Sequence, residues 1–346
     1  MTTTDLPVKP GSDAPCNASF DTIFFNKPSE FEGKLDDSFA AIDWQAPWLC
    51  HLKQLSDISK TIIQMSAVRN GSDQPDNIAN TPDIIAKVLN TALEKQADSS
   101  HQPLPQTKPA LNNHPQTLRF VSQDALPEGE TYESFIGATG NIPTRDNLHD
   151  LFNGSIWLTF PKTKALLNYY HMLEIAEQGI GASRGRVRDT ITVFDENGAI
   201  LVTAEPSIGE ALVSFDWQAS LVTPRASWDN PQQISADDKN NAKVAVYIFG
   251  HALLEKLLQP RKALCTHSIV IYVTQDFFAL TLAERICYLD QKVADYMDAL
   301  LSQPDVTARK LSPLPILGVP HFWVENANPN FYDDNQVFRS GRRKKL

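Results

Sequence analysis

His251 and Glu255 stand four residues apart in the run Val244 to Pro260. That run reads as a strand, a glycine turn and a short helix, or as one continuous helix. In either case one helical turn brings both side chains to the same flank, beside Leu254 and Leu258. An imidazole and a carboxylate at this spacing can converge on a divalent metal ion. The same pair can also be a carboxylate that orients a histidine base. A second group lies in Pro143 to Phe160. There Arg145, His149 and Asn153 recur at i, i+4 and i+8 along the margin of an apolar stripe made by Leu148, Leu151, Phe152, Ser155, Ile156 and Thr159. Thr144 is the expected N-cap, Pro161 the expected stop, and Asp150 is expected to point outward. Arg188 and Asp189 form a third group, and Asp333, Asp334 and Arg339 a fourth.

Combined, these residue types suit a hydrolase acting on a small anionic or polar substrate. Arg145, Arg188 and Arg339, with Asn153, would hold phosphate or carboxylate. His149 or His251 would be the general base, oriented by Glu255, Asp150 or Asp189. A divalent ion held by His251, Glu255 and either Asp333 or Asp334 is a variant of the same scheme. The alternative is a non-catalytic ligand-binding or interaction protein, in which the same charges form a buried salt-bridge network that specifies the fold. G-x-S-x-G, H-E-x-x-H, a P-loop and a dinucleotide-binding glycine pattern are all missing, which argues against the reactions those motifs serve.

The elements that must carry these residues read as α+β: a single large domain with a β-hairpin, mixed strands and several amphipathic helices. Helices are expected at 83–95, near 145–159, from Pro161 onward and at 281–301, and a strand near 267–274. Asn197-Gly198 sits between two β-rich runs and predicts the hairpin, with Asp195 and Glu196 in its turn and Asp189, Ile191, Val193 and Asp195 on one strand face. His171 reads as a packed or surface histidine. Trp44, Pro47 and Trp48 read as an anchoring segment. Pro313, Pro315 and Pro320 predict a stiff apolar loop.

The whole chain of 346 residues carries a formal charge of -10, with 42% hydrophobic and 21% charged residues. That is enough apolar material for a core, and the acidic balance argues against a nucleic-acid partner. No apolar run approaches the ~20 residues of a membrane helix. The start lacks the basic and apolar regions of a signal peptide. Cys16, Cys50, Cys265 and Cys287 are far apart and read as reduced thiols, in keeping with a cytoplasmic protein. Composition predicts a disordered N-terminus at 1–18, a domain over 19–340 with flexible segments near 71–81 and 97–116, and a basic tail at 341–346.

Five motifs carry a resemblance. They are Pro-Thr-Arg-x-Asn-Leu-His-Asp at 143–150, Arg-Asp-x-x-Thr-x-Phe-Asp-Glu-Asn-Gly at 188–198, Phe-Gly-His-Ala-Leu-Leu-Glu at 249–255, Ser-Pro-Leu-Pro-x-Leu-Gly at 312–318 and Phe-Tyr-Asp-Asp-x-x-Val-Phe-Arg at 331–339. Together they resemble the bacterial family catalogued as domain of unknown function 3025, over about Phe20 to Arg339. His321 departs from the pattern, where glycine is expected. The resemblance implies no particular activity.

Overall fold

A computed structural model of the chain describes residues 39–70, 83–100, 103–109, 114–178, 185–233 and 242–341. The expectations for 1–18 and 71–81 and for the tail beyond residue 341 lie outside these residues, as do Cys16 and Phe20. The fold is α+β, as the patterning predicts.

Apolar residues at helical spacing form the helices α1 (Ser56–Asn70), α2 (Ile84–Ser100), α3 (Tyr132–Thr139), α4 (Leu148–Thr159), α5 (Pro161–Gln178), α6 (Arg186–Asn197), α7 (Pro206–Val213), α8 (His251–Lys256) and α9 (Leu282–Leu301). The strands are β1 (Arg119–Ser122), β2 (Asn141–Thr144), β3 (Gly198–Thr203), β4 (Val244–Ile248), β5 (Cys265–Tyr272) and β6 (Ser312–Pro315). The main sheet runs β4-β3-β5-β6. Its β3 and β5 are parallel, and the two outer strands are antiparallel to their neighbours. All six residues of β3 are buried, which is the mark of a central strand covered on both faces. A second, parallel pair joins β1 to β2 across α3. One hydrophobic core reaches from Phe39 to Phe338 and includes the anchoring Trp44 and Trp48.

The hairpin expected at Asn197-Gly198 does not form. Residues 186–197 are helical, and β3 starts at Gly198 with its partners far away in sequence, on β4 and β5. A helical face explains this, because Thr190, Ile191 and Phe194 fall on one buried stripe. Thr190 and Thr192 hydroxyls also bond back to the carbonyls of Arg186 and Arg188. Gly198 is needed here for space rather than for a turn, since a Cβ on it would lie 2.2 Å from the Phe194 carbonyl oxygen.

Three smaller expectations also change. Asn147, not Thr144, caps α4, and Thr144 ends β2. The segment 97–116 is only partly a loop. Its first residues complete α2, Gln106 bridges Thr117, and Thr107 is buried; residues 101–102 and 110–113 lie outside the described residues. The proline-rich run at 311–320 contributes the edge strand β6, a place where missing N–H groups are tolerated. His321 has a φ of 69°, the left-handed backbone that glycine adopts without strain. The family expectation of glycine there therefore matches the backbone.

Long-range caps set the helices that matter for the site. Asp146 accepts from the first backbone N–H groups of α2, at 3.0 Å from Ile85 and 3.4 Å from Ile84. Asp290, on α9, is buried and accepts from Lys162 N and Thr163 N at 2.9 Å each and from the Thr163 hydroxyl at 2.9 Å. Because Pro161 has no N–H to offer, Asp290 satisfies the next free donors of α5. It thereby fixes the axial position of Lys164, one residue further on. We predict that Asp290→Ala lowers stability by about 2–4 kcal/mol, since it strands buried donors. Asp290→Asn, which keeps one acceptor, should cost less; urea unfolding of the two variants measures both.

Candidate functional site

The Asn147 side chain accepts from Asp150 N at 2.7 Å, so α4 begins at Leu148 and His149 sits in its first turn. Arg145 therefore precedes the helix and is not the first rung of an i, i+4, i+8 ladder. It wraps back instead onto Asp150, which is buried and does not point outward. The Asp150 carboxylate accepts from Arg145 N at 2.7 Å, Nε at 3.0 Å and Nη2 at 2.9 Å.

The sequence after β4 folds as strand, glycine, helix. Phe249 N and Gly250 N both donate to the Gly198 carbonyl, at 3.0 and 2.8 Å. A Cβ on Gly250 would lie 2.5 Å from the Glu196 carbonyl oxygen and from Gly198 N. Only glycine lets the start of α8 come this close to the junction of α6 and β3. The contact delivers His251 to the last turn of α6.

One imidazole from α4 then bridges the two α8 side chains. His149 Nδ1 is 3.2 Å from Glu255 Oε2, and His149 Nε2 is 3.1 Å from His251 Nε2, with the two rings edge to face. Behind His251, its Nδ1 faces Asp195, with Oδ2 3.9 Å away. Asp195 is gripped by the Lys164 ammonium at 2.6 and 2.9 Å. Lys164 donates in addition to Asn153 Oδ1 at 2.9 Å, and Asn153 Nδ2 donates to the Tyr132 hydroxyl oxygen at 3.0 Å. The result is a polar chain, Glu255–His149–His251–Asp195–Lys164–Asn153–Tyr132, assembled from five helices, in which the His251–Asp195 side-chain step is a 3.9 Å approach rather than a hydrogen bond.

Its exposure is graded. The side chains of His149 and Glu255 are 35% and 26% exposed, whereas those of His251 and Lys164 are 8% and 5% exposed. Burial pushes the His251 ring down to about 3; Asp195 pulls the other way, and Lys164 and His149 add to the lowering. Burial alone would raise the Asp195 carboxyl, but Lys164, His251 and His171 hold it below the usual carboxylate range. The His149–His251 contact needs one proton between the two nitrogens. If His149 Nε2 donates, His251 presents an N–H, rather than a lone pair, to the Asp195 carboxylate. The contact of His149 Nδ1 with Glu255 then requires a second proton, on that nitrogen or on the carboxylate, because a neutral imidazole carries only one.

Further donors surround the same spot. Trp157 Nε1, His171 Nδ1 and Arg188 Nε are buried and have no hydrogen-bond partner among the described residues. The Lys164 ammonium lies 5.3 Å over the Trp157 ring. Burial lowers the pKa of His171, and the charges it feels next are Glu133, Asp195, Arg188 and Lys164, which places it beside the chain.

Of the residues singled out by sequence, His149, His251, Glu255 and Asn153 meet directly. Arg188 borders the cluster, and Arg145 is engaged by Asp150. Asp189 is exposed on α6 and makes no ion pair among the described residues. Arg339 bonds through Nε to the Gln336 carbonyl and accepts Trp217 Nε1 on its own carbonyl. Asp334 pairs with Lys262 at 3.3 Å. Among the described residues no group of three His, Cys, Asp or Glu side chains is arranged to hold a metal ion, so Asp333 and Asp334 do not complete a set with His251 and Glu255. The sequence reading gives Lys164 and Tyr132 no role, places Asp195 in a turn, and takes His171 as a packed or surface histidine. A helical reading of 188–195 would have found Asp195, because Arg188, Ile191 and Asp195 share a stripe.

The lowered histidines have a consequence for stability. Burial also pushes His51 down to about 4, against the pull of the Ile248 carbonyl that its Nε2 contacts at 2.7 Å. Between about pH 6.5 and the folded values the unfolded chain binds these two protons and the native chain does not, so stability falls as pH falls. Each ring should cost about 2 kcal/mol by about pH 5, at about 1.4 kcal/mol per pH unit. Urea unfolding across this range should show that acid slope, and His51→Gln should remove roughly half of it.

Among the described residues, no helix is long and apolar enough to cross a membrane. No curated protein and no solved structure matches the chain significantly. A family model described as Protein of unknown function (DUF3025) matches residues 118–342, more than half of the chain. The match holds every member of the polar chain from Tyr132 to Glu255 and leaves out the stretch from Phe20 to Thr117. The chain belongs to the DUF3025 family.

Proposed function

We propose that this protein is a hydrolase of a small anionic or polar substrate in which Glu255 and His149 activate water. The observation that supports this reading is the graded exposure of the polar chain: its outer end is open to solvent and its inner end is locked in place. Both ring nitrogens of His149 are engaged, and Glu255 Oε2 faces His149, which leaves Oε1 for an incoming water. In the step, water gives a proton to the Glu255–His149 couple while its oxygen adds to the electrophilic centre of the substrate. The couple then returns the proton to the leaving group, so no proton is gained or lost overall. His251 and the Asp195–Lys164 pair hold the His149 ring in orientation. Trp157 Nε1 and Arg188 Nε, which can only donate, suit oxygen atoms of an anionic substrate.

A structural reading is favoured by a different observation, the closed Arg145–Asp150 and Lys164–Asp195 pairs. Lys164 is almost fully buried, and breaking such a pair costs about 3–5 kcal/mol. The two readings separate in one experiment. Purified protein is assayed on chromogenic phosphate esters, carboxylic esters and amides, alongside Glu255→Gln and His149→Ala. The enzyme reading predicts turnover on at least one class and a loss of about 100-fold or more in each variant, with the melting temperature nearly unchanged. No turnover on any class, together with a clear fall in melting temperature in both variants, establishes the structural network instead.

A further inference from the structure

A second polar feature lies away from this chain. A cavity of about 250 Å³ opens beside β4, between the 47–51 segment and the start of α9. None of the residues from Tyr132 to Glu255 named in the polar chain lines it. Ala279, Thr281 and Leu282 are exposed and form its mouth, while His51, Trp228, Tyr247, Arg285 and Phe322 are buried and form its floor and walls. The volume falls just below the roughly 300–1,000 Å³ of sites for drug-sized ligands, which suits a single ring system.

The chemistry of the floor restricts the occupant. Arg285 and Asp229 form an ion pair at 3.2 Å, so the two charges cancel. Two further guanidinium N–H groups are engaged, on Nε with the Leu280 carbonyl at 3.1 Å and on Nη2 with the Phe278 carbonyl. Three of its five N–H groups are thus engaged, and its charge is already matched by Asp229. His51, held neutral by burial, adds no charge. A charged ligand would lose its hydration here without gaining a counter-charge. The Tyr247 hydroxyl is buried beside Arg285, from which its oxygen can accept, and its own O–H has no acceptor among the described residues. Burial pushes its pKa up to about 12, so it stays a donor. Asp229 Oδ2 is taken by Arg285, which leaves Oδ1 as an acceptor. Trp228 and Phe322 supply aromatic surface.

We propose that this cavity is a binding site for a small uncharged heteroaromatic amide, with a carbonyl that accepts from Tyr247 and an N–H that donates to Asp229. A buried O–H without an acceptor is costly, and such a ligand satisfies it. The proposal is independent of the hydrolase reading.

The test uses the full chain with nicotinamide and uracil as neutral probes, and with benzoate and benzylamine as charged probes of similar size. Binding is read by saturation-transfer NMR and by thermal shift, in wild type, in Tyr247→Phe and in Leu282→Trp, which narrows the mouth from an exposed position. The expected result is millimolar or tighter binding of at least one neutral probe, weakened about tenfold or more in both variants, with the charged probes at least about tenfold weaker. Failure of both neutral probes to bind at millimolar concentration overturns the proposal. So does binding that neither variant weakens, or equal binding of the charged probes. If Tyr247→Phe does not fold, Leu282→Trp alone decides between the same outcomes.

Discussion

An ammonium group that cannot reach water organises this protein. The Lys164 side chain is 5% exposed, and among the described residues its ammonium donates to Asp195 and Asn153. Each of those partners belongs to a different helix, so one buried cation ties α4, α5 and α6 at a single point. Burial keeps the His251 ring neutral against the carboxylate, and the ammonium adds to that lowering. A buried pair of this kind contributes little net stability compared with an apolar replacement, yet it is costly to break. It acts here as a positional constraint.

Two backbone contacts make the constraint reachable. Gly198 lies against the last turn of α6, and Gly250 lies against Gly198. A side chain at either glycine would push the start of α8, and His251 with it, away from α6. On the other side, Asp290 holds the first turn of α5 from across the molecule, and Asn147 sets the first residue of α4. Caps and glycines thus fix four helix ends, those of α4, α5, α6 and α8, and the side chains carried near those ends meet.

Much of this was legible in the sequence, for identifiable reasons. The i, i+4 spacing of His251 and Glu255 and the strand–glycine–helix pattern before them are local properties, and they survive folding. The capping box Thr281/Glu284 likewise starts α9 as its residue types require. The errors came where local preference competes with packing. Asn197-Gly198 flanked by β-formers favours a hairpin locally, but the buried stripe Thr190, Ile191, Phe194 makes the first half helical. That one reversal concealed Asp195. Lys164 and Asp290 were hidden for a different reason. Their partners are 31 and about 127 residues away, and no spacing rule reports contacts at that separation.

The account rests on His251 being a neutral ring joined to His149, with Asp195 behind it. Imidazole nitrogen-15 NMR reads this directly, through the protonation and tautomer of each ring as pH is lowered from about 8 to about 4. The structure predicts that His251 stays neutral to the acid end of that range and that its Nε2 resonance shifts when His149 is replaced by alanine. A His251 that titrates near the free-histidine value of about 6.5, and that is indifferent to His149→Ala, would contradict it.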